Sequence, residues 1–505
     1  MIIEKIKDRI VTIFIIVFCL CFSWICINNI VNYFEIVYKY NKFLQVICAA
    51  IYVAVILAVS KFLVPKIQKN KIIKGLILFF IFCMTIICSI YFRVDLKAEE
   101  SSTYTWDLGN YFSTAERIAN GDYSNIDYLR RYPNNIMITS IFVVIIKIVS
   151  CIGVKDLILV AVICNSIIIF LAIVLMYKST KSIYGDNIAT IVLLIAMMTT
   201  PFYLYAPIFY SDTFSMFFIM LMLYFIIKIN QSKGKPKRYV MNVLLGVVSF
   251  IGFEIKLTSI FLIIAFVIYT ILQRNAITFV KKFLVAICVF LLCLGVYKYL
   301  TNRFITNEEE STRTPVYHWI MMGLKEEGNF NIDDYNYTDS YKFYDEKKNA
   351  DIKLIKERLN EYNMQSFIRH INKKLVFTWG DGTYYAPIKL EREPHRFSRV
   401  HCYIIRNFDK TMYYKYIPQS MQHGMLFFIV ISAIFTTKCR KKEDDYTIVF
   451  YITMFGFMLF LLMWENRSRY IFNILPIMLM IEARGIEFII NYRMYRRKCL
   501  CEKND

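Results

Sequence analysis

Long apolar runs constrain this chain more than any other feature of its sequence. Repeated stretches of 16 to 22 mostly hydrophobic residues are each long enough to cross a hydrocarbon core of roughly 30 Å as a helix. Runs of this length suit helices, because the strands of a membrane barrel need only about 10 residues. With 57% of its 505 residues hydrophobic, the chain is predicted to be an all-α polytopic membrane protein.

Twelve of the runs are predicted to cross the membrane, and one further run, residues 134–151, is ambiguous. The positions of the basic residues decide how that run is interpreted. The predicted spans are approximately 11–31, 44–64, 73–93, 157–177, 188–206, 212–229, 239–254, 257–273, 283–301, 424–437, 446–463 and 470–488.

Lysine and arginine are concentrated in short loops, as the positive-inside rule requires of cytoplasmic loops. Five lysines between positions 61 and 74 place that loop in the cytoplasm, so the segment after the third span lies outside. Later basic loops, such as 228–238, lie inside only if 134–151 does not cross fully. We therefore expect 134–151 to be a re-entrant or juxtamembrane helix, with Pro133 in its first turn. Both termini are then cytoplasmic and the active face is external, at the cell membrane.

The net charge of +21 follows from these loops, so no nucleic-acid partner is expected. The organisation has three parts. Residues 1–301 form an N-terminal transmembrane bundle with an external Asp107 loop (94–133) and the re-entrant helix. Residues 302–420 form an external segment that is partly helical, since 345–374 shows helical periodicity. Residues 421–505 supply the last transmembrane helices and a basic cytoplasmic tail.

Asp107 is the first candidate for chemistry, because it lies in a polar loop between apolar segments. A carboxylate beside Trp106 and Tyr111 at a membrane boundary has the surroundings of a general base. The alternative is a polar residue in a turn with Gly109 and Asn110. Both interpretations, a general base and a turn residue, agree with the sequence.

Asp212 has a simpler explanation. Ser211-Asp212-Thr213 before an apolar run is typical of a helix N-cap, and capping is the favoured interpretation. Binding of a substrate hydroxyl or a divalent cation is the alternative, although one carboxylate does not make a metal site.

Lys256, Arg467 and Arg469 are the basic candidates at the same boundary. Each can neutralise a phosphate, and arginine suits bidentate phosphate contacts. The alternatives are a snorkelling lysine and ordinary interfacial anchoring of the two arginines beside Trp464 and Tyr470.

Several other site types are missing from the sequence. It contains no GxGxxG, P-loop or HExxH motif, and its five histidines lack the spacing of metal ligands. No metal site is therefore predicted, and Asp107 and Asp212 are the candidate ligands if a divalent cation is used.

Five short motifs, in order, resemble the GT-C superfamily of polyprenyl-phosphate-sugar-dependent glycosyltransferases. The similarity is to the protein O-mannosyltransferase and aminoarabinose transferase branch. The motifs are WDLGNY with Asp107, RRYPNN with Tyr132, YSDTF with Asp212, EIKLTS with Lys256, and ENRSRYIFNILP with Glu465, Arg467 and Arg469. The external stretches TPVYHWIMMGL and WGDGTYYAP look like a branch of these enzymes from Gram-positive bacteria.

The resemblance implies a GT-C-like bundle and a role for each matching residue. Asp107 would be the catalytic base, and Asp212 would organise the donor or the acceptor. Lys256, Arg467 and Arg469 would contact the lipid phosphate, and Glu465 and Tyr132 would belong to the same substrate site. A divalent cation is left open as a cofactor, because related branches differ in metal use.

The function that this resemblance implies is an inverting transfer of a hexose or pentose from an undecaprenyl-phosphate-sugar donor. The acceptor would be a cell-envelope glycopolymer or a protein. A polysaccharide polymerase or ligase that acts on lipid-linked glycans is the first alternative, and a flippase or transporter is the second. A transporter predicts charges midway through its spans, whereas the charges of this chain are interpreted as lying at one face only.

Overall fold

The computed structural model describes residues 2–36, 41–95, 107–273, 276–304, 312–392, 394–405, 411–438 and 444–492. Within these ranges the regular structure is helical. An isolated β-bridge joins Val94 and Pro394, and the described residues contain no strand. The prediction of an all-α chain is confirmed.

The first 14 helices reach from the N-terminus to the end of the predicted ninth span. A 3₁₀ turn, Pro133–Asn135, leads into α7, and another, Leu257–Ile260, leads into α13. The helices are α1 (Ile2–Ile36), α2 (Lys42–Phe62), α3 (Val64–Ile67), α4 (Lys71–Tyr91), α5 (Asp107–Ala119), α6 (Asp127–Arg131), α7 (Ile136–Cys151), α8 (Leu157–Tyr184), α9 (Asp186–Met198), α10 (Thr200–Leu204), α11 (Ser211–Gln231), α12 (Lys235–Ile255), α13 (Phe261–Gln273) and α14 (Ala276–Phe304).

The segment predicted to be partly helical contains α15–α20, and three long helices follow it. The first of these, α21, begins 13 residues before the predicted span 424–437. The helices are α15 (Tyr317–Gly323), α16 (Ile332–Asp339), α17 (Tyr344–Glu361), α18 (Met364–Trp379), α19 (Ala386–Leu390), α20 (His401–Ile404), α21 (Thr411–Lys438), α22 (Asp444–Met463) and α23 (Leu475–Ile490), with a 3₁₀ stretch, Ser468–Ile474, before α23.

Ten helical stretches of the described residues are long and apolar enough to cross a membrane. One of them is Pro133–Cys151, the ambiguous run. The other nine coincide with predicted spans, and the three remaining predicted spans correspond to the shorter helices α9, α13 and α23. The chain is therefore a polytopic helical membrane protein, as the apolar runs predict.

Two ion pairs fix the relative direction of α4 and α8. Lys74, at the start of α4, bonds to Asp186 just after α8 at 2.8 Å. Arg93, just after α4, makes two hydrogen bonds of 2.6 and 2.7 Å to Asp156, immediately before α8. The two helices are therefore antiparallel. We call the end of the bundle that contains Arg93 and Asp156 the Asp107 face, because the chain continues from Arg93 to α5, which begins at Asp107.

Helix α7 has both of its ends at the Asp107 face. Before its first turn, the Asn135 amide donates to the Tyr128 hydroxyl at 2.6 Å, and that hydroxyl donates to Asp107. After its last turn, the chain reaches Asp156, which is bound to Arg93. A helix that crossed the bundle would have its ends at opposite faces. The contacts therefore support the prediction that 134–151 is a surface or re-entrant helix.

Helix α23 lies at the centre of the bundle, and every residue from Leu475 to Phe488 is buried. It contains Glu482 and Arg484, so the interpretation that charges lie at one face only is wrong. The Tyr52 hydroxyl donates to Glu482 at 2.8 Å, and Arg484 bonds to Glu487 at 3.1 Å. Intramembrane charges face the protein interior, where such partners are available. The positions of the charges therefore no longer count against a transporter.

We predict that Gly485→Ala destabilises the protein. A Cβ at Gly485 of α23 would clash with the backbone carbonyl of Phe428 in α21, lying 2.8 Å from its carbon. Overpacking of this kind costs about 1–3 kcal/mol. Gly295→Ala in α14 is the matched control, since a Cβ there meets nothing within 4 Å. Thermal unfolding in detergent is expected to show a lower midpoint for Gly485→Ala alone, and equal midpoints would contradict this packing.

Candidate active site

Asp107 is the first residue of α5, and two tyrosine hydroxyls hold its carboxylate. Tyr128, from α6, donates to Oδ1 at 3.3 Å, and Tyr210, from the turn before α11, donates to Oδ2. Its place in the first turn is favourable, because the partial positive charge of a helix N-terminus stabilises a carboxylate. Asp107 is thus held from two elements far apart in sequence, which a turn residue does not require. Trp106 and the rest of 96–106 lie outside the described residues.

Tyr210 connects Asp107 to the basic residues of the site. Its hydroxyl bonds to Asp107, while its ring lies 4.9 Å from the guanidinium carbon of Arg469 and 5.8 Å from the ammonium of Lys389. The Tyr111 ring lies 6.1 Å from it, and the Tyr111 hydroxyl donates to the Phe209 carbonyl at 2.5 Å, which fixes the backbone just before Tyr210. The same tyrosine therefore contacts the carboxylate and two basic side chains.

Asp212 binds two cations, and the N-cap interpretation is wrong. Helix α11 begins at Ser211, its N-cap residue is Tyr210, and no side chain caps it. The Asp212 carboxylate is only 1% exposed: Lys256 binds Oδ1, and Nη1 of Arg469 lies 3.6 Å from Oδ2. A carboxylate buried in the second position of a helix needs a charged partner, and the chain after α12 supplies Lys256.

Arg469 has hydrogen-bonding capacity that the described residues leave open. Its Nη2 donates to the Tyr470 hydroxyl at 3.3 Å, Nη1 forms only the ion pair with Oδ2 of Asp212 at 3.6 Å, and Nε is buried without a hydrogen bond. Oδ2 of Asp212 is also buried without a hydrogen bond. Buried polar groups are normally satisfied, so these atoms indicate a place where a polar ligand or water completes the site.

Arg467 lies beside this group and has its own set of partners. Its Nε donates to Asn329 at 2.6 Å and lies 3.7 Å from a carboxylate oxygen of Glu465. Its guanidinium carbon lies 5.0 Å from the Tyr385 ring. Glu465 therefore orients Arg467 with Asn329, and Tyr385 covers the guanidinium as a cation–π partner.

Tyr385 belongs to a strained turn that Asp381 holds in place. Tyr384 and Tyr385 both have positive φ, 52° and 67°, a conformation that costs non-glycine residues of order 1–3 kcal/mol each. The Asp381 carboxylate accepts from the Thr383 amide at 2.9 Å, the Tyr385 amide at 3.0 Å and the Ser468 hydroxyl at 2.8 Å. The Ser468 bond ties this turn to the segment between Arg467 and Arg469.

Lys374 of α18 fixes the other end of that segment. Its buried ammonium donates to the carbonyl oxygens of Gly323 at 2.7 Å and Trp464 at 2.9 Å. Asn466 donates to the Lys374 carbonyl at 2.8 Å. Burial lowers the pKa of Lys374 to about 7, and Glu465 opposes this shift. Residues 464–469 are thus held on both sides, which limits the positions that Arg467 and Arg469 can adopt.

Lys389 and Arg392 add two basic side chains to the site. Burial lowers the pKa of Lys389 well below its usual range, and the nearby cations Arg469, Arg392 and Arg467 lower it further, whereas Asp107 raises it. Cations held close together repel one another, and an anion between them relieves that repulsion. The arrangement therefore suits an anionic group.

Sequence reasoning found most of this site but missed part of it. The structure brings Asp107, Asp212, Lys256 and Arg469 together around Tyr210 and Tyr470, with Arg467 and Glu465 beside them. Tyr132 contributes its ring, 5.4 Å from that of Tyr128, and it is Tyr128 that bonds to Asp107. The missed residues are Tyr128, Tyr210, Lys389, Arg392 and Tyr385. All five stand in or beside the motifs quoted above, but tyrosines are too frequent in this chain, 37 of 505, to be singled out.

The site fits a divalent cation poorly. Among the described residues no group of three or more histidine, cysteine or acidic side chains is placed to hold a metal. Both oxygens of Asp212 face cations, and both oxygens of Asp107 accept from tyrosines. Divalent cations require several oxygen ligands, so Asp107 and Asp212 are poorly placed to hold such an ion between them.

Comparison with known sequences assigns the family. The profile of a family described as "conserved hypothetical integral membrane protein" matches residues 2–487. The chain belongs to this family. It is thus an integral membrane protein, in agreement with its spans. No curated protein matched the sequence.

Among solved structures, the protein is similar to the oligosaccharyltransferase of Archaeoglobus fulgidus, tethered with an acceptor peptide that contains the NVT sequon. The TM-score is 0.41 and the sequence identity is 12%. The match covers 82% of this chain and 49% of the other, so this chain spans about half the length of that protein.

We predict that Lys256→Met lowers the stability of this integral membrane protein. It leaves the buried carboxylate of Asp212 with Arg469 alone. A buried charge left without any partner costs about 3–5 kcal/mol, so a loss below that range is expected while Arg469 remains. The control is Lys353→Met, which removes an exposed pair with Glu357 at 3.9 Å and is expected to change little. Thermal unfolding in detergent measures both. An unchanged midpoint for Lys256→Met would mean that the pair with Asp212 is not formed.

Proposed function

We propose that the protein is a membrane glycosyltransferase that moves a sugar from a polyprenyl-phosphate donor to an acceptor hydroxyl. One observation carries the proposal: Tyr210 holds the Asp107 carboxylate through its hydroxyl while its ring lies against Arg469 and Lys389. A carboxylate and a set of basic side chains thus lie near one tyrosine, which supports the roles of base and phosphate site.

The two halves of this site have distinct roles in such a transfer. Asp107 takes the proton of the acceptor hydroxyl, and the acceptor oxygen forms a bond to the anomeric carbon of the sugar. The bond from that carbon to the phosphate oxygen breaks, and its electron pair leaves with the polyprenyl phosphate. Attack from the side opposite the phosphate inverts the configuration at the anomeric carbon.

The cations act on the departing phosphate. Charge builds on the phosphate oxygen as the bond breaks, and donors fixed in advance stabilise that charge without reorganising. Arg469 has two buried nitrogens that make no hydrogen bond within the described residues, and Lys256 lies beside it on Asp212. Arg467, held by Asn329 and Glu465, is placed to contact the phosphate or the sugar.

A lipid-linked donor agrees with the position of the site. Lys256 follows the predicted span 239–254 and Arg469 precedes the last predicted span, the level at which a lipid phosphate resides. Tyr210 joins Asp107 to Arg469. The positive-inside rule puts this face outside the cell, where nucleotide sugars are not expected. The acceptor is then a glycopolymer or a protein of the cell envelope. A polymerase or ligase for lipid-linked glycans would use the same phosphate site, with a second glycan as the acceptor.

Asp107→Asn is predicted to abolish the transfer, because the amide cannot accept the proton that the carboxylate takes. General bases typically contribute about 10²–10⁴-fold in rate. A deletion strain would be complemented with the wild-type protein, with Asp107→Asn or with Asp122→Asn. The last is the matched control, since Asp122 lies in the exposed turn after α5 and bonds to Ser124. Compositional analysis of the cell-envelope glycans is the measurement.

The wild type and Asp122→Asn are expected to restore a sugar that the deletion strain lacks, and Asp107→Asn is expected not to, at equal abundance in the membrane. Unchanged glycans in the deletion strain would reject the proposed function. Full restoration by Asp107→Asn would leave the function but remove Asp107 as the base.

A further inference from the structure

Helix α18 has an apolar side that is only partly covered by protein. Met364, Ile368, Leu375 and Trp379 share that side, because intervals of 4, 7 and 11 residues return to one side of a helix. Leu375 and Trp379 are buried in the bundle, whereas Met364 is 76% exposed and Ile368 is 52% exposed. The covered half and the open half form one continuous stripe.

The contacts with α1 show how α18 is oriented. Near its middle, Asn372 accepts from the Trp24 indole at 2.9 Å, and its carbonyl accepts from Asn28 at 3.1 Å. At its end, Trp379 packs on the Phe22 ring at 5.2 Å, and its carbonyl accepts from Asn29 at 3.2 Å.

These contacts require a steep crossing of the two helices. Residues 372 to 379 advance about 10 Å along α18, yet both positions touch the same stretch of α1, residues 22–29. Helix α1 spans the membrane, so α18 lies close to the membrane plane.

The depth of α18 follows from the same stretch of α1. The apolar run of α1 extends to Ile27, and Asn28 and Asn29 are the first polar residues after it. Residues 22–29 therefore lie in the last turns of the predicted span 11–31, next to the boundary between hydrocarbon and headgroups. Trp24, which binds Asn372, is itself 49% exposed, as expected of an aromatic residue at the membrane interface. The open half of α18 continues past this lipid-facing residue at the same level.

The opposite side of α18 is polar and basic. Arg369 is exposed and Lys373 is partly exposed, and Lys373 is nine residues from Met364, half a turn away around the helix. An apolar side towards hydrocarbon and a basic side towards phosphates are the features of an interfacial amphipathic helix.

We propose that α18 is seated in the bilayer interface on the Asp107 face, with Met364 and Ile368 among the lipid acyl chains and Arg369 and Lys373 at the headgroup phosphates. The occupant of the open stripe is thus the membrane lipid. Lys374 of the same helix donates to the Trp464 carbonyl. Insertion of α18 into the interface therefore also fixes the position of the segment that contains Arg467 and Arg469.

The test is site-specific photo-crosslinking in the full-length protein, reconstituted into nanodiscs of phosphatidylglycerol and phosphatidylethanolamine. The benzophenone amino acid would replace Ile368 in one variant and Met364 in a second, which guards against a variant that fails to fold. Lys353 of α17, whose side chain is 76% exposed, is the negative control. Leu292 of α14, which is 67% exposed in a predicted span, is the positive control. Mass spectrometry measures the lipid adducts.

We expect lipid adducts from the Ile368 and Met364 variants in yields comparable with Leu292 and several-fold above Lys353. A Leu292 adduct without adducts at Ile368 and Met364 would overturn the proposal. Crosslinks at these two positions to a second copy of the chain would also overturn it, since protein would then cover the stripe.

Discussion

The hydrogen bond between Tyr210 and Asp107 is the contact on which the site depends. It joins α5, which follows the first three spans, to the turn before α11, about a hundred residues later. The same ring packs against Arg469, which comes from the loop before the last helix. Three distant parts of the chain therefore meet at one tyrosine.

The strained and buried elements around the site serve to keep the Arg467–Arg469 segment in place. Asp381 holds two tyrosines with positive φ and binds Ser468, while Lys374 binds the Trp464 carbonyl from the opposite side. Strain and a buried lysine are both unfavourable, and they persist only where surrounding contacts determine them fully. Fixed donors are what a reaction that develops charge on a phosphate requires. The proposed position of α18 in the bilayer interface would add contacts with lipid to this support.

The sequence predicts the bundle well because the bilayer imposes a simple rule: a helix must be long and apolar enough to cross. The same rule gives no information about partners inside the bundle. Glu482 and Arg484 lie in the last span because Tyr52 and Glu487 are close to them, and only the packing of α23 reveals this. The N-cap interpretation of Asp212 fails for a similar reason. The sequence Ser211-Asp212-Thr213 is the same whether the aspartate caps α11 or forms a buried ion pair with Lys256. The predicted site residues that the structure brings together are mostly charged residues near span ends. Those added by the structure are mostly tyrosines, whose role depends on the neighbours of their rings and hydroxyls.

The most direct test of the account is a structure of the protein in nanodiscs with a polyprenyl phosphate bound. The phosphate is expected within hydrogen-bonding distance of Arg469 and Lys256, with the sugar between the phosphate and the Asp107 carboxylate. A phosphate bound away from these two residues, with the Tyr210 cluster unchanged, would contradict the account.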